Sequence, residues 1–534
     1  MRKNRERTSS KIVIIVMIIT LFARFFGLLR EILMARYYGT SIYTDAYIIA
    51  NNIPTVVFDT LGQALLTSFI PMYSKICHEE NKERANLFTI RLIIYLMIIC
   101  VILTIVGEVF TKQIVVVFAS GFKGKVLDIT IQFTRILFPS LFAMTLLNLF
   151  TGYLQIYQKF ELATSITVIG NLIIILTLII SNIFQNVYIF VWGSLIGIFS
   201  QVAILIPSVI KQGLLNNKGY LFKRDRYVRL LIPLLVPVFI GSALNEINSI
   251  IDRTMVSGLG AGAVSTLNYA YKIISLAISV IATPLITFMY PKFSALAAKN
   301  DEVNFRNSIH KCFNYILVII IPISVIIFVY RSIIVKILFE RGNFDSIAAS
   351  KTSYALACYT VGLTAMAVQQ ILIRVYYAKQ NTVTPMFNGI ICAAANIGLD
   401  YVLIQKYGFV GASIATSIVA IIACIILSSL LCRKNILESK KLGNILLKNI
   451  VSGLVMLIFL TIMNRKFFDE VLINVKNILL IGILLVISGG VYLLMQILVK
   501  NDDITSELFT ILNKKLLVKK NENIYNGSGE LLLA

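Results

Sequence analysis

Residues 11–39 read KIVIIVMIITLFARFFGLLREILMARYYG, from Lys11 to Gly39. This stretch decides the fold class. From Ile12 to Ala23 only Thr20 is not apolar, and a helix of about 20 such residues crosses the hydrocarbon core of a bilayer. Four charged residues then enter the same run: Arg24, Arg30, Glu31 and Arg36. Arg36 is near the end of the span and can snorkel to the interface. Arg24 and Arg30 lie deeper, where a charge costs ~3 kcal/mol on insertion scales. Such residues face a bundle interior or a wet cavity, so this helix belongs to a bundle with a polar interior. Arg24 and Glu31 are seven residues apart and share one helix face. Two readings stay open: an internal ion-pair network that fixes helix packing, or the wall of an anion site, which the planar fork of arginine suits.

The rest of the chain agrees. Hydrophobic residues make up 58% of 534 and charged residues 14%, against about a quarter charged in soluble domains. The sequence predicts an all-α integral membrane protein of about fourteen transmembrane helices. They fall near 11–37, 44–72, 88–110, 127–156, 160–183, 188–210, 228–257, 263–293, 309–331, 346–377, 383–405, 409–432, 445–463 and 475–499. An even number puts both termini on one side.

The net charge of +23 sits mostly in alternate loops. Arg2, Lys3, Arg5 and Arg7 begin the series; Lys82 and Arg84, Lys211 to Arg229, Lys292 to Arg306, Arg433 to Lys441 and Lys514 to Lys520 continue it. The positive-inside rule reads both termini as cytoplasmic. No basic, aromatic-interleaved soluble module is present, which argues against a nucleic acid partner. The seven cysteines form no CxxC pair and read as small core residues. There is no phosphate loop, HExxH or GxSxG motif, so any work is driven by gradients, membrane potential or substrate consumption.

Internal repeats organise the spans. Pro71-Met72-Tyr73-Ser74 and Pro291-Lys292-Phe293-Ser294 end spans two and eight, at an offset of 220 residues. Gly39 and Gly260, Tyr157-Gln158-Lys159 and Tyr377-Ala378-Lys379, and Val191-Trp192-Gly193-Ser194 and Val410-Gly411-Ala412-Ser413 repeat within one residue of that offset. Two six-helix lobes of like orientation follow, an architecture of transporters with substrate held between the halves. The expected divisions are an N-lobe at 1–215 (helices 1–6), a C-lobe at 216–440 (helices 7–12), two added helices at 441–500, and a polar cytoplasmic tail at 501–534 with an amphipathic stretch from Ile504 to Val518.

Polar residues inside the spans mark candidate sites. In span two, Asp45 either caps its own helix or pairs with an arginine of span one. Asn51, Asn52, Pro54 and Asp59 suggest a kink lining a polar space, and Lys272 of span eight could face the same space. Span seven carries Pro233 and Pro237. Asn245, Asn248 and Asp252 form one face of it, with Glu246, Ser249 and Arg253 beside them. Asn396 with Asp400, and Ala412 with Thr416, are i, i+4 pairs on spans eleven and twelve. Their oxygens are either hard ligands for a small cation such as sodium or a buried hydrogen-bond network.

The stretch Arg24-Phe25-Phe26-Gly27-Leu28-Leu29-Arg30-Glu31, followed by Ala35-Arg36, Gly39 and Thr44-Asp45-Ala46, resembles the MurJ (MviN) family of lipid II flippases. IDRTMVSGLGAGAVSTLNYAYKI (Ile251–Ile273) and the two Pro-x-aromatic-Ser span ends resemble it too. The resemblance covers nearly the whole chain. It implies a transporter, not an enzyme, that moves the undecaprenyl-pyrophosphate-linked peptidoglycan precursor across the bacterial cytoplasmic membrane by alternating access. It implies lipid II and membrane lipids as partners, a functional monomer, and a groove for the lipid tail along the two added helices. Arg24, Arg30, Asn52, Asp45 and Lys272 are the implied substrate contacts. Lys272 stands where the family commonly has arginine, and the arginine pair that many members carry after the Ile-Pro of span two is absent from Ile53-Pro54-Thr55-Val56-Val57-Phe58-Asp59. Asp252, Asn396, Asp400, Ala412 and Thr416 match the sodium site of some members; no other cofactor is implied. The rival readings are a flippase for another polyprenyl-linked glycan, a multidrug exporter, which would favour an acidic cavity, and a membrane enzyme or scaffold of wall synthesis.

Overall fold

In the computed structural model the described residues are 2–214, 225–231, 233, 250–467 and 475–501. Most of predicted span seven, with Pro237, Asn245, Glu246, Asn248 and Ser249, lies outside them, as do the tail from 502 with its stretch Ile504 to Val518, the side chains of residues 2–14, and that of Asp59. Among the described residues there is no strand. The helices are α1 (Arg2–Tyr38), α2 (Ile42–Glu79), α3 (Lys82–Val109), α4 (Thr111–Phe118), α5 (Lys125–Leu137), α6 (Ser140–Ile156), α7 (Phe160–Ile183) and α8 (Val187–Lys211). After a helical stretch at 250–256 come α9 (Ala263–Ala277), a π turn at Ile278–Ala282, α10 (Thr283–Ala298), α11 (Glu302–Phe339), α12 (Ser346–Ala378), α13 (Val383–Tyr407), α14 (Phe409–Arg433), α15 (Ser439–Phe467) and α16 (Val475–Leu498).

Ten described helices are long and apolar enough to cross a membrane, or eleven with the bent pair α5 and α6 counted as one span. Predicted span four is that pair, bent by 44°. The break falls at Phe138-Pro139, where proline cannot donate the next helical hydrogen bond. The short α4 was not expected from the sequence.

The described chain forms two compact units. The first comprises residues 1–276, 335–359 and 386–419; the second comprises 277–334, 360–385 and 420–534. In the first, Phe69, Tyr73, Phe88, Tyr153 and Leu205 pack in one core, and Ile49, Cys100, Val115, Phe138 and Val264 in another. Outward, Ile98, Ile102, Ile105 and Val109 are exposed along one face of α3. An apolar stripe at helical spacing on the outside is what lipid solvates.

The second unit shows the same inversion more sharply. On α16, Leu479, Ile483, Val486 and Leu494 are exposed, while Ser488, Tyr492 and Gln496 are buried. The buried groups meet Asn449 of α15. Its Oδ1 accepts from Tyr492 Oη at 3.1 Å and from Gln496 Nε2 at 3.0 Å, and its Nδ2 donates to Asn314 Oδ1 of α11 at 3.0 Å. Asn501 closes the chain with bonds to Gln496 and Asn314. Bonds of this kind join helices that have no hydrophobic drive to associate in lipid.

The repeat carries into backbone geometry. Gly39 and Gly260, paired in the sequence, both take positive φ, 58° and 103°. The ends of α6 and α12 close alike: Gln158 and Gln380 have φ of 58° and 57°, and the following amides reach back to Leu154 O and Tyr376 O at 3.0 Å each.

Candidate functional site: a cationic pair over a buried carboxylate, and an aspartate pair

α1 brings Arg30 and Glu31 against α7 and α9. Arg30 Nη2 lies 2.8 Å from Glu31 Oε1, and its Nη1 donates to Asn171 Oδ1 at 3.3 Å. Lys272 Nζ lies 3.6 Å from the same Glu31 oxygen. The Glu31 side chain is only 6% exposed, against 26% for Arg30 and 42% for Lys272. Two cations therefore show their edges above one buried carboxylate. Glu31 offsets the repulsion between them, and the trio keeps one net positive charge. Of the predicted substrate contacts, the structure thus unites Arg30 and Lys272, and it does so through an ion-pair network centred on Glu31. Asn171 was missed; its signal was an amide inside the apolar run of span five. Arg24 is exposed and has no hydrogen-bond or ion-pair partner among the described residues. Asn52 is half-buried on α2, near Thr55, whose hydroxyl donates to Asn51 O at 2.7 Å.

Asp45 sits elsewhere. It is fully buried and caps neither its own helix nor an arginine. Its Oδ2 accepts the amide of Gly262 at 2.6 Å and its Oδ1 that of Ser265 at 2.8 Å. These amides begin α9, where a helix presents unpaired N–H groups and favours an anion. Neighbouring bonds follow the same line. Asn343 N donates to Arg36 O at 2.9 Å, Gly121 N to Ser257 Oγ at 2.9 Å, and Thr254 Oγ1 to Phe118 O at 2.8 Å. Residues 36–45 and 118–121 of the first sequence half are thereby laced to 254–265 and 343 of the second.

The second cluster joins all five residues of the predicted cation site. Asn396 Nδ2 donates to Asp252 Oδ1 at 2.5 Å and to Asp400 Oδ2 at 2.8 Å. Thr416 Oγ1 bonds to Asp252 Oδ2 at 3.0 Å and to Ala412 O at 2.9 Å. Asp400 is fully buried, and its Oδ1 has no hydrogen-bond partner among the described residues. No group of three or more His, Cys, Asp or Glu side chains gathers anywhere in the described residues. The donor set is all oxygen, which suits a hard cation and not a thiophilic metal.

The described residues define a helical protein with ten or eleven helices able to cross a membrane. A solved structure of a multidrug resistance MATE transporter in its inward-facing conformation shares the fold, with a TM-score of 0.66 at 15% identity over 79% of this chain and 98% of that one. The family model described as lipid II flippase MurJ matches residues 34–511, and the chain belongs to that family. A solved structure titled lipid II flippase MurJ, inward closed conformation, matches with a TM-score of 0.77 and 26% identity over 93% of this chain and 99% of that one. Among relatives, the probable lipid II flippase MurJ of Buchnera aphidicola subsp. Schizaphis graminum is 28% identical over 91% of this chain and 95% of its own length. The lipid II flippase MurJ of Burkholderia cenocepacia is 25% identical over 76% of this chain and 81% of its own.

Proposed function

We propose that this protein is a lipid II flippase: a multi-pass transporter of a bacterial cytoplasmic membrane that carries the pyrophosphate-linked precursor from the inner to the outer leaflet. Family membership supports the substrate. The observation that carries the site is the Arg30–Glu31–Lys272 trio, whose surplus positive charge and accessible cationic edges suit a phosphate-bearing headgroup. Arg24 and Asn52 are assigned supporting contacts. Asp45 acts by holding α9 and not by touching the headgroup while the Gly262 and Ser265 amides occupy it.

The loop charges put both termini in the cytoplasm, so the ends laced through Asp45 face outward. Transport is by alternating access: the N-lobe (1–215) and C-lobe (216–440) part on the outer side as Asp45 releases α9. Helices at 441–500 guide the lipid tail, and 501–534 stays cytoplasmic. An inside-negative potential favours exit of an anion by ~2.3 kcal/mol per charge per 100 mV. A single chain suffices, and no nucleic acid takes part.

A sodium ion fits Asp252, Asn396, Asp400, Thr416 and the Ala412 carbonyl, because a fully buried aspartate oxygen there lacks a donor. The ion would neutralise the buried Asp400 and the half-buried Asp252 carboxylates, which now share one amide. Its binding would favour one lobe arrangement over the other.

The test is replacement of a host's own lipid II flippase by this chain. Lipid II should reach the outer leaflet with the wild type, and Arg30→Ala should insert yet fail to complement. Growth without outward lipid II, or full activity of Arg30→Ala, would sink the reading.

A further inference from the structure

Along α13 the buried residues are Pro385, Asn388, Cys392, Ala393, Asn396, Asp400 and Ile404. Asn388, Cys392, Asn396 and Asp400 follow one another at intervals of four, so they form one row on one helix face. Successive members are about 6 Å apart along the axis. The outward positions are apolar instead: Phe387, Ile390, Ile391 and Ile397 are exposed. A helix in lipid gains nothing by burying carboxamides and a carboxylate that go unpaired, yet two oxygens of this row do. Asn388 is 3% exposed, and its Oδ1 has no hydrogen-bond partner among the described residues. The same holds for Asp400 Oδ1 at the other end. Between them, Asn396 uses its amide on Asp252 and Asp400, and Cys392 is a free thiol.

The row is polar on one side of the aspartate pair only. One turn beyond Asp400 the face continues with Ile404, which is buried. In the other direction it continues with Cys392 and Asn388, and Asn388 lies about 8 Å inside the start of the helix at Val383. The loop charges put that end on the cytoplasmic side. We infer that this row is the passage by which a small alkali cation moves between the cytoplasm and the aspartate pair, with Asn388 as its intermediate ligand. The passage presupposes the cation reading of Asp252 and Asp400 and the topology of the flippase. A carboxamide oxygen is a hard ligand that replaces water around such an ion. Being uncharged, it holds the ion weakly enough to pass it on, whereas the two aspartates supply the charge that retains it. Ile404 closes the row outward, so the aspartate pair samples the sodium of the cytoplasm and not that of the outside.

The test uses the full chain, with its native cysteines, in vesicles of known orientation. The probe is 2-aminoethyl methanethiosulfonate, a small thiol-reactive cation, added on one side with free cysteine trapped on the other. Peptide mass spectrometry locates the modification. Cys392 should react from the cytoplasmic side, and more slowly in sodium than in potassium. Asn388→Leu should slow the reaction about tenfold, as for a barrier raised by about 1.4 kcal/mol, and Asn388→Ser, which keeps an oxygen, should restore part of the rate. Melting curves in sodium and in potassium separate the two claims. Identical curves for the wild type remove the cation reading, and the passage with it. A sodium-stabilised wild type whose Cys392 reacts only from outside, from neither side, or at one rate whatever stands at 388 removes the passage alone. A melting shift lost in Asn388→Leu would make Asn388 a ligand of the aspartate site itself, and that too overturns the passage.

Discussion

The carboxylate of Asp45 accepts the backbone amide of Gly262, 217 residues further along the chain, at 2.6 Å. The Ser265 amide completes the pair, so one side chain near the start of α2 holds the first turn of α9. Hydrogen bonds to a charged group contribute about 1.5–3 kcal/mol each. Asp45→Ala should therefore raise amide exchange at Gly262 and Ser265 roughly ten- to a hundredfold. Hydrogen exchange by mass spectrometry reads this directly, and unchanged protection would show that the lacing does not depend on Asp45.

Glu31 should prove as necessary as the cations it joins. Glu31→Ala leaves Arg30 and Lys272 facing each other without a counter-charge, and breaking a buried pair costs about 3–5 kcal/mol. The exposure of Lys272 places the loss below that range. Thermal unfolding in detergent should show the drop, and Lys272→Met in the Glu31→Ala background should restore part of it. Additive losses would mean that the pair is not coupled.

Sodium should stabilise the wild type and not Asp252→Asn or Asp400→Asn. A ligand at ten times its Kd contributes about 1.4 kcal/mol. Melting curves in sodium and in potassium make the comparison; identical curves for the wild type would remove the cation proposal.

Asp225 lies outside the predicted spans. Its Oδ2 takes Arg84 Nη1 and Arg91 Nη1, each at 2.8 Å. Burial alone would raise its pKa, but the bonds from Arg84, Arg91 and the Tyr227 amide outweigh it and hold the carboxyl below its usual 3.8. A depressed folded pKa stabilises the fold above the unfolded value, and that stability is lost as pH falls through the folded one. Residues 225–231 should stay protected from exchange at neutral pH and loosen only below about pH 3.8, and Asp225→Asn should abolish that step.

Asn449→Leu should cost more than its surface change suggests. It strands the donors of Tyr492 and Gln496, at about 1–3 kcal/mol for each buried unsatisfied group. A melting temperature close to wild type would mean that water replaces the asparagine.

The sequence alone determined the membrane class and the internal repeat, because lipid demands long apolar helices and nothing else satisfies the backbone there. The i, i+4 spacing also marked Asn396 with Asp400 and Ala412 with Thr416 as pairs on single helix faces, and only the family resemblance joined them with Asp252 as one set. Partners across helices were not legible in this way. Asp45 could have capped α2 or met an arginine; the approach of α9 gave it amides from another part of the chain. Glu31 was an acid among arginines until the packing of α1 on α7 and α9 made it the centre of the trio. The asparagine chain from Asn314 to Asn501 was likewise decided by packing. Helical periodicity is local and survives in one dimension, whereas the partner of a buried charge depends on which helices lie within hydrogen-bond reach, and only tertiary structure decides that.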